Sequence, residues 1–221
     1  GRTLVDGYGR VARDLRVSVT DRCGLRCTYC MPAEGLPWLP REEILDDEEL
    51  LRVVGVLVGL GVRQVRLTGG EPLLRRSIVD LVAGLAALTP RPQLAMTTNG
   101  VGLAALAGPL ARAGLDRVNV SLDTISRAQF LALTRRDRFD DVVAGLAAAA
   151  EAGLTPVKVN AVAMRGVNDA DVAELLDWCL ERGYELRFIE QMPLDAQHGW
   201  DRERMVTAAE VRERLERRHT L

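Results

Sequence analysis

Leu15-Arg16-Val17-Ser18-Val19-Thr20-Asp21-Arg22-Cys23-Gly24-Leu25-Arg26-Cys27-Thr28-Tyr29-Cys30 opens in strict apolar–polar alternation and ends on three thiols, separated by three and then two residues. Period-two alternation reads as a strand over Leu15–Thr20. Thiolates this close can converge on one soft metal centre, and three of them leave a fourth coordination position open. A closed structural zinc site needs a fourth ligand nearby. His198 and His219 are remote, and Cys179 sits inside a helical pattern over Ala173–Leu180, where it reads as a packed core thiol. The count fits an iron–sulfur cluster with one iron open to a small ligand, with buried or incidental cysteines as the bland alternative.

Outward from this stretch the chain repeats one unit. Residues 1–13 read as a lead-in, and Pro32, Pro37 and Pro40 keep residues 31–41 irregular. Asp46–Leu60 has an acidic start and apolar positions at helical spacing. Strand patterns at Val62–Thr68, Gln93–Thr98, Arg117–Leu122, Pro156–Val162 and Glu185–Glu190 alternate with helical ones. The helical stretches are Arg76–Leu88, Leu103–Ala113, Ser126–Leu133 with Phe139–Ala152, Ala170–Arg182 and Ala208–Arg218. Six strand–helix units imply parallel strands with crossover helices, α/β in class. Two units short of a closed eight-unit barrel, the expectation is a partial (β/α)6 TIM-like barrel open on one side; a flat doubly wound sheet is the alternative.

Alternation also sorts side chains. If Leu15, Val17, Val19, Val65, Leu67, Val118, Val120, Val157 and Val159 pack on helices, then Arg16, Arg66, Asn119, Ser121, Lys158 and Asn160 face the interior. Three cations inside a barrel are costly unless something anionic or water accompanies them. Either Asp123 or Glu190 neutralises them, or a polyanionic substrate lies inside with its phosphates on Arg16, Arg66 and Lys158.

The bulk numbers exclude more than they define. The 221 residues are 48% hydrophobic and 27% charged with net charge −2, an ordinary globular balance that gives no hint of nucleic-acid binding. No apolar run approaches the roughly 18–20 residues that span a bilayer, and Gly1-Arg2-Thr3 does not begin a signal peptide. Three of four cysteines crowded into eight residues argue against a disulfide framework and for a reducing, cytoplasmic setting.

Thr68-Gly69-Gly70-Glu71-Pro72 closes strand two; its glycines permit close backbone approach to a ligand or a positive φ, and Glu71 is an acceptor at the carboxyl end, where parallel α/β folds bind ligands. Thr97-Thr98-Asn99-Gly100 and Asn119-Val120-Ser121-Leu122-Asp123, taken singly, read as turns with helix caps, and Met192 as core filling or ligand contact.

The cysteine spacing, with an aromatic before the third thiol, resembles the radical S-adenosylmethionine (SAM) superfamily. Gly69-Gly70-Glu71-Pro72 is similar to its motif for the methionine amino group. Asp14–Cys23, Cys30-Met31-Pro32, Arg66–Leu73, Thr97–Gly100, Asn119–Asp123, Val157–Asn160, Gly166–Asp169 and Phe188–Glu190 through Gly199-Trp200 resemble the GTP 3′,8-cyclase family of molybdenum cofactor biosynthesis.

That resemblance implies a radical SAM core over residues 14–221. Cys23, Cys27 and Cys30 would hold a 4Fe–4S cluster. Tyr29, Gly70, Ser121 and Met192 would contact S-adenosylmethionine, and Arg16, Arg66, Thr97 and Lys158 would bind GTP. A 5′-deoxyadenosyl radical would take hydrogen from ribose C3′, which then joins guanine C8. An electron donor of the flavodoxin or ferredoxin type, a homodimer and a downstream pyranopterin monophosphate synthase are further implications. Gly24 stands where the family commonly has Asn. The family's second, C-terminal cysteine triplet has no counterpart after Cys179, so the chain is expected to be the catalytic half of a longer protein rather than a shortened form. A radical enzyme with another substrate, such as a peptide, and a non-catalytic metal- or nucleotide-binding module are the competing readings.

Overall fold

A computed structural model describes residues 3–193 and 199–220; His198 and Leu221 lie outside the described residues. Six strands, β1 (Asp14–Ser18), β2 (Gln64–Thr68), β3 (Gln93–Thr98), β4 (Arg117–Ser121), β5 (Lys158–Ala163) and β6 (Glu185–Glu190), form one sheet. Every neighbouring pair is parallel, and the spatial order β1-β2-β3-β4-β5-β6 is the order of the chain. A doubly wound sheet reverses its order at a switch point so that helices cover both faces. This order never reverses, so right-handed crossovers place every helix on one face and curl the sheet into a barrel. The first and last strands do not pair with each other, which leaves the barrel open.

The helices are α1 (Asp47–Gly59), α2 (Ile78–Ala86), α3 (Leu103–Ala113), α4 (Arg127–Thr134), α5 (Phe139–Glu151), α6 (Val172–Glu181) and α7 (Ala208–Glu216). Elements fall close to the expected spans. Strand β5 starts at Lys158 rather than Pro156, consistent with proline having no N–H to give a ladder. Helix α1 begins at a reciprocal cap, the Asp46 side chain accepting from Glu49 N and Glu49 accepting from Asp46 N. The lead-in is more ordered than its composition suggests: Asp6 accepts from Tyr8 N, Arg10 N and Arg10 Nε, and Val5 bridges Val11.

Of the apolar set assigned to the helix side, Val19, Val65, Leu67, Val118, Val120, Val157 and Val159 are buried in the core and Leu15 and Val17 pack against it half-buried; Leu94 and Met96 of β3 join them. Of the facing set, Arg16, Arg66, Asn119 and Asn160 line one interior cavity and Ser121 another. In register Arg16 sits beside Arg66, Thr97 beside Asn119, Asn119 beside Lys158, and Asn160 beside Arg187. Among the described residues no helix is long and apolar enough to cross a membrane.

Arg75 ties the open end of β1 to α1: its guanidinium donates to Val19 O (2.8 Å), to Leu45 O (3.1 Å) and to Asp47 Oδ1 (2.5 Å). Arg75→Ala leaves two carbonyls and a partly buried carboxylate without their donor. It should destabilise the chain by about 2–3 kcal/mol, read from urea unfolding midpoints.

Candidate functional site

The segment after β1 is laid directly on the end of β2. Gly70 N donates to Thr20 O and Glu71 N to Arg22 O, both at 2.7 Å. A Cβ on Gly69 would stand 2.2 Å from Thr20 O, and one on Gly70 2.3 Å from both Arg22 O and Asp21 O. The glycines are therefore required by the backbone that leads into Cys23. Glu71, 1% exposed, accepts from Leu73 N (3.0 Å), Thr98 Oγ1 (2.7 Å) and Asn99 N (2.6 Å), although burial pushes its carboxyl up. Its two oxygens join the end of β2 to the end of β3. Asn99 Nδ2 in turn reaches Cys23 Sγ at 3.7 Å.

Within the loop, Cys30 N and Met31 N both donate to Cys27 O. The Arg26 guanidinium folds back to Cys23 O (2.7 Å) and Leu25 O (2.8 Å) and lies 5.5 Å from the Trp38 ring centroid. All four cysteines are free, and Cys23, Cys27 and Cys30 line one cavity of about 240 Å³ with Tyr29, Gly70, Thr97 and Ser121. Burial pushes all three thiols up, so loading them onto a metal releases protons. Among the described residues no three His, Cys, Asp or Glu side chains close on a single metal ion. Thiols that ring a cavity suit a multi-iron cluster, which takes each sulfur at a different corner.

Sequence reasoning missed the pair on the far wall. Tyr29 OH donates to Asp123 Oδ2 (2.7 Å), and Asp123 Oδ1 accepts from Val162 N (2.9 Å). Burial, with Asp123 alongside, holds the phenol well above its usual value. Asp123 therefore serves Tyr29 and β5 and neutralises no barrel cation, while Glu190 accepts from Ala208 N at the start of α7.

A second cavity, about 470 Å³, is lined by Arg16, Arg66, Asn119, Asn160 and Arg187 with Asp14 at its edge; on β2 and β4 its residues Arg66 and Asn119 stand two positions before Thr68 and Ser121 of the thiol cavity. Two residues of strand are about 7 Å, so the cavities adjoin inside one barrel. Burial, then Arg16, Arg117 and Arg187, hold the Arg66 guanidinium below its usual value. Arg187 was legible in the alternation of Glu185-Leu186-Arg187-Phe188, which places it with Glu185 on the inward face. Near the join of the cavities, Thr97 Oγ1 and Asn119 Oδ1 are buried without a hydrogen-bond partner among the described residues. Lys158 lines neither cavity; its ammonium pairs with Glu185, its register neighbour. Met192, 54% exposed beyond β6, also lies outside both. Another groove of about 440 Å³, between Arg41, Asp46 and Arg76, is outside the barrel and holds no thiol.

Residues 17–179 match the model of the radical SAM superfamily, and the chain belongs to that superfamily. The cofactors of that superfamily are a 4Fe–4S cluster and S-adenosylmethionine, and a thiol-ringed cavity beside a glycine-lined strand end fits both. More particularly, the chain is similar to GTP 3′,8-cyclases. It is 61% identical to that of Streptomyces coelicolor over 219 residues, covering 99% of this chain and 64% of that protein. It is 59% identical to that of Paenarthrobacter nicotinovorans over 216 residues, covering 97% and 61%. The chain thus spans less than two thirds of the length of these relatives. Among solved structures, Streptococcus suis SuiB bound to S-adenosylmethionine shares the fold, with TM-score 0.69 at 20% identity over 86% of this chain and 41% of that one. A radical SAM methyltransferase from Sphaerobacter thermophilus gives 0.67 at 18% identity over 94% and 63%.

Two outcomes follow from this geometry. Gly70→Ala forces Cβ against two carbonyls that belong to backbone and cannot swing aside. A loss of about 1–3 kcal/mol in urea unfolding is expected. The Asp123 carboxyl is pushed up to about 6 by burial, against the lowering effect of Val162 N–H and Tyr29 O–H. The folded chain then holds more protons than the unfolded one between the ordinary value, 3.8, and about 6. This contribution to stability is complete below the lower value and lost as pH rises through the upper one. Stability of Asp123→Asn should fall less steeply over that window; superimposable pH profiles would show that the carboxyl titrates as in the unfolded chain.

Proposed function

We propose that this chain is the radical SAM core of a GTP 3′,8-cyclase, the enzyme that joins ribose C3′ to guanine C8 in molybdenum cofactor biosynthesis. The observation that carries the reading is the pair of adjoining cavities, one ringed by thiols and one by arginines, with Thr97 and Asn119 unsatisfied near the join. Like charges set side by side in register, as Arg16 and Arg66 are, oppose folding. A triphosphate repays that cost, and a neutral peptide does not.

Cys23, Cys27 and Cys30 hold the cluster, and Tyr29, Gly70, Ser121 and Met192 contact S-adenosylmethionine. Together these cofactors supply a 5′-deoxyadenosyl radical. The chain's own task is binding and orientation. Arg16, Arg66 and Lys158 take the phosphates, Arg187 adds a fourth cation, and Thr97 bonds the nucleoside near the join. Lys158 exchanges its Glu185 partner for phosphate as the substrate enters. The reading also includes a flavodoxin- or ferredoxin-type donor, a homodimer, a cytoplasmic setting, and a pyranopterin monophosphate synthase acting after the cyclase.

Arg66→Ala should weaken GTP binding about 10–100-fold, the range for a lost charge-assisted bond, and flatten its salt dependence. Reductive cleavage of S-adenosylmethionine by the anaerobically reconstituted protein should persist. Calorimetric titration with GTP and quantitation of 5′-deoxyadenosine read the two effects separately. An unaltered GTP affinity removes the arginine cavity from the reaction.

A further inference from the structure

Among the described residues Arg135 is the one non-glycine residue with positive φ, +54°. It caps the carboxyl end of α4 in the left-handed conformation, where glycine is the usual choice because a Cβ is penalised there. An arginine at such a position calls for a use of its side chain, and the structure shows one. Arg135 Nη1 donates to Arg26 O (3.0 Å) and to Met31 O (3.2 Å), carbonyls that bracket Cys27 and Cys30. The backbone makes the same connection. Arg26 N donates to Thr134 O and Thr28 N to Leu133 O, both at 2.9 Å, so the last carbonyls of α4, which no helical amide can satisfy, are capped by the cysteine loop itself.

We propose that Arg135 is a positioning residue for the cluster site, a clamp that holds the Arg26–Met31 arc on the end of α4 so that Cys27 and Cys30 keep their places before and after metal loading. This rests on the reading that those thiols bind the cluster. The left-handed cap makes the clamp separable from fold stability. Arg135→Gly removes the side chain with its guanidinium and relieves the left-handed backbone, so the relief offsets the lost bonds in overall stability, whereas loss of an ordinary structural bond lowers the unfolding midpoint.

The test uses this chain and its Arg135→Gly and Arg135→Lys variants. In the apoprotein, amide hydrogen exchange of Arg26 and Thr28 should speed up about tenfold in Arg135→Gly, as expected for the loss of the two bonds, while the urea midpoint stays level or rises. In the reconstituted protein, iron release to a chelator under anaerobic conditions should accelerate by a similar factor, and Arg135→Lys should recover part of both effects. Exchange or iron release matching the unsubstituted chain overturns the clamp, as does a lowered urea midpoint, which would make Arg135 a fold residue. If the unsubstituted chain takes up no cluster, the proposed function fails instead, and amide exchange still decides whether the clamp exists.

Discussion

The contact on which the site depends is backbone against backbone. Thr20–Arg22 lies so close to Gly69 and Gly70 that a methyl group on either glycine would stand within 2.3 Å of a carbonyl oxygen. From that contact a line of bonds runs across three strands. Thr20 O and Arg22 O hold the amides of Gly70 and Glu71, the Glu71 carboxylate holds Thr98 and Asn99, and Asn99 reaches the Cys23 thiol. The cysteine loop is thereby indexed to the carboxyl ends of β1, β2 and β3. A buried carboxylate is affordable here because its oxygens accept three hydrogen bonds, one from a hydroxyl and two from backbone amides.

Charge supplies the second constraint. The strand register sets Arg16 against Arg66 and brings Arg187 and Arg117 close enough to lower the Arg66 guanidinium. Among the described residues only part of this charge is answered by an ion pair. Lys158 has Glu185, whereas Arg117 donates to the neutral Gln64 side chain. An open barrel tolerates the remainder because water enters where a closed barrel would be filled by branched apolar side chains. Openness and an excess of cations thus go together: the open side admits the water that a row of neighbouring guanidinium groups needs.

Much of this was legible. Alternation at period two gave the six strands, acidic starts and apolar spacing gave the helices, and three thiols separated by three and two residues marked the loop whose thiols line one cavity. Other features were visible in type and differ in role. Gly69 and Gly70 read as places where a ligand approaches the backbone or φ turns positive; in the structure Gly69 has φ +136° and the approaching group is the chain's own Thr20–Arg22 segment. Glu71 read as an acceptor for ligand; both its oxygens are engaged by β3 and Leu73. Asp123 or Glu190 was one of two readings for the cations, as their neutraliser in place of a polyanionic substrate; for Lys158 that part falls to Glu185, because the pairing of β5 with β6 places the two residues side by side.

The sequence by itself determined the periodicities and the chemistry of short segments, since a strand's alternation, a helix cap and a cysteine loop are each written within a few neighbouring residues. Only the tertiary structure decided between barrel and doubly wound sheet, because strand order is set by which strands pair. It alone put Tyr29 on Asp123, 94 residues away, and Arg135 on Arg26 and Met31, 109 and 104 away. Such contacts have no local signature: each needs a hydrogen-bond distance between groups whose separation depends on the whole path of the chain.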